Sequence, residues 1–458
     1  MNSPTTPSGA SPPDPAQLLR SRSYVVVLVL GALIGVPVAA VAYFYLKGVA
    51  DVQTWVFTTL PGDLGFSGEP ALWPMLPLTV SGLLVGLTLR YLPGTGGHKP
   101  AEGFKAGGPV LPIELPGIAL ASFATLSLGV VLGPEAPLIA IGSGLGVLAV
   151  HLLKRDAPET AVMVIGAAGS FAAVSTLLGS PLVGAFLLME ASGIGGPMMG
   201  VILIPGMLAA GVGTLIFVGL DNWTGYGTFS LSIPNIPPFT TPTLAEFLWA
   251  VGIGLAAAVI GTAIRRPALM LQPLVERQMV VLTPVAGLGI GAAAVVFGEL
   301  TTHNSSEVLF SGQDALPSLI EGAAGWSVGA LILLMICKGV AYSLALSCFR
   351  GGPTFPGMFI GAAGGIALSH LPGLPMIAGA AMGIAAMTVA MLGLPLTSVL
   401  LATIFLSADG LALTPLVIVA VVVAYVASAR LTPLPDATSA PAQSSAPPDA
   451  RGAAAGGG

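Results

Sequence analysis

The sequence predicts an all-α polytopic membrane protein made of two repeats whose interrupted helices meet near the midplane. Three observations carry that expectation. Of 458 residues, 54% are hydrophobic and only 8% charged, with a mean hydropathy of +0.93, a balance foreign to soluble globular domains. Glu135 lies in the run Gly133-Pro134-Glu135-Ala136-Pro137, between two long apolar stretches. The glycine and proline spacing of that run recurs in the second half of the chain.

Taken in order, residues 24–45, 72–92, 247–264, 280–297, 330–349 and 411–427 are apolar runs near the about 20 residues that cross a bilayer. Segments 133–150, 181–190, 356–368 and 395–405 begin at glycine or proline and are expected to reach only partway. The first run is too long for a signal peptide and has no small-residue cleavage site, so it is expected to remain as a span. Arg20 and Arg22 precede it and Arg430 follows the last run, while the first outward loop carries Asp51, Asp63 and Glu69 against Lys47 alone. The positive-inside rule then places both termini in the cytoplasm of a multi-pass cell-membrane protein. Arg90, Lys99 and Lys105, then His151, Lys154 and Arg155, then Arg265 and Arg266, mark cytoplasmic turns. Residues 1–22 and 431–458, rich in Pro, Ser, Ala and Gly, read as disordered cytoplasmic tails around a transmembrane domain at 23–430.

The net charge of −5 resides in loops and tails and gives no ground for nucleic-acid binding. Cys337 and Cys348 lie in apolar sequence and read as unpaired core thiols, so no disulfide, metal or cofactor is expected. Of the four histidines, His98, His151 and His303 fall in predicted loops, and His370 ends a short helix without a serine-elbow pattern. An intramembrane enzyme therefore has no visible catalytic set. A cation carrier would want a carboxylate from each half, and the second half has Thr354 where the first has Glu135.

The duplication is legible in two motif pairs. Gly133-x-x-x-Pro137 is followed five residues later by Gly142, and Gly352-x-x-x-Pro356 five residues later by Gly361. Leu178-Gly179-Ser180-Pro181-Leu182 follows Gly169, and Leu392-Gly393-Leu394-Pro395-Leu396 follows Gly383, each at ten residues from glycine to glycine. The offsets, 356 − 137 = 219 and 395 − 181 = 214, fit one duplication, with repeats expected at about 72–220 and 279–430. A helix that begins inside the membrane presents unpaired N–H groups and the positive end of its dipole to whatever precedes it, which is an anion site. A carboxylate at that depth costs about 3 kcal/mol to insert and so marks a polar pathway.

These residues resemble a known family. Gly133-x-Glu135-x-Pro137 is similar to the Gly-x-Glu-Gly-Pro signature of the CLC chloride channels and transporters, and Gly351-Gly352-Pro353-Thr354-Phe355-Pro356 to their Gly-Gly-Ile-Phe-Ala-Pro loop. Gly94-Thr95-Gly96 resembles their Gly-Ser-Gly, and the stretch ending Pro181 to Glu190 their Ala-Pro-Leu-Ala-Gly-x-Leu-Phe-x-x-Glu helix, with Pro395-Leu396-Thr397 its second-half counterpart. The resemblance covers about 24–427. It implies transport of chloride or a similar monovalent anion by a homodimer in the lipid bilayer, each subunit with its own path built from two inverted repeats that meet at a midplane anion site. Carried over by position, Glu135 is the gating glutamate, and Thr95 with Gly96 approaches a central anion. Backbone groups at Gly133, Ala136, Thr354 and Phe355 complete the cradle.

The chain also departs from the family pattern. Pro134 and Pro353 lack N–H donors, Arg350 stands where relatives have Ser or Gly, and Arg430-Leu431-Thr432-Pro433-Leu434-Pro435 supplies no central-site tyrosine. Lys338 resembles a basic residue common in relatives, and a snorkelling side chain is its plainer reading. The helix after Pro181 ends in Glu190-Ala191 where proton-coupled relatives have two acids, so coupling is expected to be weak or absent, with Glu190 the remaining candidate relay.

Overall fold

The computed structural model describes residues 20–66, 68–104, 108–193, 197–225, 239, 241–406 and 410–431. Lys105 and nearly all of both expected tails lie outside them. The first set of helices is α1 (Arg22–Thr54), α2 (Met75–Tyr91), α3 (Leu115–Ser127), α4 (Glu135–Leu153), α5 (Glu159–Leu177), α6 (Pro181–Ser192) and α7 (Pro197–Thr224). The second is α8 (Leu244–Arg277), α9 (Met279–Leu300), the short α10 (Ala315–Glu321), α11 (Val328–Cys348), α12 (Thr354–Leu368), α13 (Met376–Leu392), α14 (Pro395–Phe405) and α15 (Gly410–Leu431). Eight helices among the described residues are long and apolar enough to cross a membrane.

Local chemistry sets the ends. Ser21, Ser180 and Ser327 each accept a backbone N–H of the helix that follows, and Pro181 and Pro395 occupy first helical positions where a missing donor costs nothing. Glu246 reaches back to the Thr243 N–H at 2.8 Å, closing a capping box on α8. Two expectations change. α4 runs to Leu153, nineteen residues, so it is long enough to span, and His151 lies in its last turn and not in a loop. α12 starts two residues before Pro356, because a proline is tolerated in a first turn, where N–H groups have no helical partner.

Packing repeats with the sequence. α4 packs on α5 as α12 does on α13, α1 on α7 as α8 on α15, and α5 on α7 as α13 on α15. Counterparts also meet across the repeats, α2 with α9 and α6 with α14. The second glycine of each motif serves that packing: a Cβ on Gly142 would overlap the backbone of Gly169, and one on Gly361 the backbone of Gly383. Contact between small residues lets the helix backbones approach where lipid gives no hydrophobic drive. Cys337 and Cys348 are buried and free.

Candidate anion site at the junction of the repeats

Residues 219 apart in the sequence touch each other in the fold. The Gly133 N–H donates to Gly352 O at 2.8 Å and the Gly352 N–H to Gly133 O at 2.6 Å, a reciprocal antiparallel bridge. Equivalent residues bonded reciprocally lie on a two-fold axis, which is the local signature of an inverted repeat. Each strand of the bridge runs directly into a helix, α4 at Glu135 and α12 at Thr354, so two positive helix ends converge on one point.

Glu135 occupies that point. Its side chain is 1% exposed, Oε1 accepts the Thr354 N–H at 2.6 Å, and Oε2 has no hydrogen-bond partner among the described residues. The Thr354 hydroxyl is likewise buried without one. The carboxylate lies against both bridge glycines: a Cβ on Gly352 would stand 2.5 Å from Glu135 Cγ and overlap the carboxyl group, and one on Gly133 would overlap Oε2 and lie 2.9 Å from the Phe355 ring. Glycine is therefore required at both positions by close approach, and a half-satisfied carboxylate fills a slot walled by backbone. Tyr342 on α11 closes the other side, fully buried, its hydroxyl donating to Pro353 O at 2.5 Å. The sequence reading passed over Tyr342, because a hydroxyl bound to a carbonyl eleven residues ahead leaves no periodic or motif trace.

The remaining predicted residues divide. Thr95 is exposed, and its hydroxyl donates to Gly97 O at 3.1 Å within a turn where Gly94, Gly96 and Gly97 all have positive φ. Its carbonyl accepts Arg350 Nε at 2.9 Å, so the Gly-Thr-Gly turn is tied to the residue just before the Gly351-Gly352 loop. Arg350 also donates to Phe349 O at 3.1 Å and is 5% exposed. Lys338 does not snorkel, as its plainer reading had it. Fully buried, its ammonium donates to the carbonyls of Glu307, Val308, Leu309 and Phe310 at 2.9–3.4 Å and sits 4.4 Å over the Phe359 ring. It thereby fixes the 307–310 loop, which the Phe310 N–H joins to Gly129 O at 3.0 Å, upstream of the bridge.

Glu190 does not join Glu135. Its carboxylate crosses to the other repeat and accepts the Leu396 N–H at 2.9 Å, the Thr397 N–H at 2.8 Å and the Thr397 hydroxyl at 2.7 Å, capping the start of α14. An acid at a helix N-terminus is held by the dipole and the unpaired donors.

Two cavities flank Glu135 along the chain. One of about 550 Å³ has Thr95, Glu114, Ala136, Ser143 and Ser170 on its wall. The other, about 40 Å³, has Leu132, Pro134, Gln53 and Asp314. Ala136 and Pro134, the chain neighbours of Glu135, thus border a wide cavity and a narrow one.

Residues 81–429 match the Voltage gated chloride channel family. The chain belongs to that family. Its members are channels and transporters and not enzymes, and anion transport is the family's activity. A protein of Escherichia coli O1:K1, YfeO, assigned provisionally to ion transport, is 28% identical over 361 residues, 78% of this chain and 82% of its own. Two solved structures share the fold at lower identity. A slow cyanobacterial Cl⁻/H⁺ antiporter aligns with TM-score 0.72 at 18% identity, over 88% of this chain and 94% of its own. A CLC-type fluoride/proton antiporter aligns with TM-score 0.68 at 19% identity, over 88% and 95%.

Proposed function

We propose that this protein moves a small monovalent anion, chloride by preference, past Glu135, with weak or no obligatory proton exchange. The bond from the Thr354 N–H to Glu135 Oε1 at 2.6 Å carries the reading. A tethered carboxylate there occupies the place a free anion would take at the start of α12, and its second oxygen holds nothing that must be broken for it to leave. Backbone groups of Ala136, Thr354 and Phe355 form the cradle, while Gly133, expected to belong to it, has its N–H committed to the bridge with Gly352; Thr95 with Gly96 shapes the approach from the wide cavity. Partial charges of this kind hold an anion without trapping it. Weak coupling rests on Ala191, which cannot carry a proton, and on Glu190, whose carboxylate is engaged in capping α14. The protein works as a homodimer in the cell membrane with both termini cytoplasmic.

One observation favours a proton-coupled exchanger instead. Glu114 stands on the wall of the same wide cavity as Ala136, a position from which a carboxylate can receive a proton. The deciding experiment is anion efflux from liposomes with and without a proton ionophore under a chloride gradient. A channel-like protein gives equal fluxes and no uphill proton movement; a fixed proton-to-anion ratio establishes the exchanger.

A further inference from the structure

Arg350 is a buried charge held by neutral groups. It is 5% exposed, and its hydrogen bonds to the described residues run from Nε to Thr95 O at 2.9 Å, from Nη1 to Phe349 O at 3.1 Å, and from its backbone N–H to the Thr125 hydroxyl at 3.4 Å. No carboxylate among the described residues lies within ion-pair distance of the guanidinium. The two acids within electrostatic reach are engaged elsewhere: Glu276 with Lys99 at 2.5 Å and Gln272 at 3.0 Å, Glu102 with Gln272 at 3.3 Å. A guanidinium keeps its proton at any working pH, so the charge is permanent, and a buried charge is ordinarily compensated. Its place is fixed by the turn it holds. Thr95, whose carbonyl it grips, stands on the wall of the wide cavity together with Gly97 and Ala136. The Arg350 stem follows the same turn, its Cγ 3.6 Å from where a Cβ on Gly96 would stand.

We propose that Arg350 is the cation that draws the transported anion into the wide cavity, by holding the Gly-Thr-Gly turn and setting a permanent positive charge behind it. The inference rests on the reading of that cavity as the approach to Glu135, and it names the residue that sets how readily chloride enters. Arg350 is not on the cavity wall, so it is a positioning residue that acts through Thr95 and through its field. A free Thr95 carbonyl would present the negative end of its dipole beside the approach. The guanidinium occupies that oxygen and turns the local potential positive, which concentrates anions in a cleft walled by protein. At an effective dielectric of about 20, a unit charge changes anion occupancy by about tenfold or more at distances under about 10 Å. The anion in turn supplies the counter-charge that no neighbouring carboxylate gives.

The test uses the full chain in liposomes with equal chloride and equal pH on both sides, so that insertion direction does not matter. Exchange of radiolabelled chloride is followed as its concentration is raised, and the half-saturating concentration is read, because it does not depend on how much of the protein is folded. Arg350→Met is expected to raise that concentration about tenfold, and Arg350→Lys, which keeps the charge, to stay within about twofold of the parent. Glu276→Gln removes an acid that offsets the Arg350 charge and should lower the half-saturating concentration, a direction that damage to the fold does not produce. A parental value in Arg350→Met, or an equal rise in Arg350→Lys, overturns the proposal. Should Arg350→Met fail to fold, Glu276→Gln decides, and an unchanged or raised value there overturns the proposal as well. The underlying reading is checked apart from it. Thr95→Cys, exposed on the cavity wall, is treated with a bulky membrane-permeant thiol reagent beside a treated parent, whose two cysteines are buried. Blocked exchange supports the cavity as the approach; parental exchange in the labelled protein means that the reading of the cavity fails first, whatever Arg350 does.

Discussion

Replacing Gly352 by alanine changes no charge and no donor, yet it bears directly on how Glu135 is held. The glycine is not in a left-handed conformation, so alanine is allowed by the backbone. Its methyl, however, would lie 2.5 Å from Glu135 Cγ and overlap the carboxyl carbon and Oε1, while ordinary carbon contacts are about 3.5–4.0 Å. Either the bridge to Gly133 opens or the carboxylate leaves. The bridge is two backbone bonds at 2.6 and 2.8 Å inside a buried junction, whereas the carboxylate has one bond at 2.6 Å and one empty oxygen, so the side chain is expected to move. A hydrogen bond to a charged group is worth about 1.5–3 kcal/mol, and its loss shifts the ratio of vacant to occupied slots by about 10- to 100-fold. Chloride efflux from liposomes carrying Gly352→Ala should rise above the parental rate and lose most of its pH dependence, with no further rise when Glu135→Gln is added. A folded Gly352→Ala protein with parental flux and parental pH response would show that the carboxylate does not occupy the anion's place.

Three further outcomes follow from the structure. Lys338→Met removes the donor from four carbonyls, those of Val308 and Leu309 in buried bonds, and should lower stability by about 3 kcal/mol, read as a fall in the thermal midpoint in detergent. Glu190→Gln leaves one of the α14 donors unmatched and should cost about 1–3 kcal/mol of stability while the pH profile of flux stays parental; a changed profile would make Glu190 a relay. Burial raises the Glu69 carboxyl from its ordinary 4.5 to about 7, so the folded state holds its proton more tightly than the unfolded one. Its stabilising contribution is full below about pH 4.5 and is lost as pH rises through about 7, and Glu69→Gln should flatten that part of the stability profile.

The sequence exposed the junction better than its surroundings. Gly133 and Gly352 stand out because only glycine tolerates the close approach, and the 219-residue offset turns out to connect residues that bond to each other. Pro181 and Pro395 mark helix starts as expected, since proline pre-sets the first turn. α3, α5, α7 and α13 were not read as elements. In α3, α5 and α13 small residues such as Ala119, Ala121, Ala167, Ala168, Ala380 and Ala381 take the place of large apolar side chains, and their compactness lets these helices pack deep in the fold. Long-range polar partners were equally invisible: Glu190 finds α14 more than 200 residues away, and Lys338 closes on a loop nearly 30 residues back. Thr95 was singled out for its hydroxyl, while in the fold its carbonyl also anchors Arg350.

The central claim is that the Glu135 carboxylate is a tethered anion in the slot where the two repeats meet. Chloride efflux from liposomes carrying Glu135→Gln, followed across pH beside the parent, tests it most directly, because the amide keeps the shape and removes the charge that competes with the anion. The expected result is a higher flux that no longer varies with pH. Parental flux with the parental pH response would remove Glu135 from the mechanism.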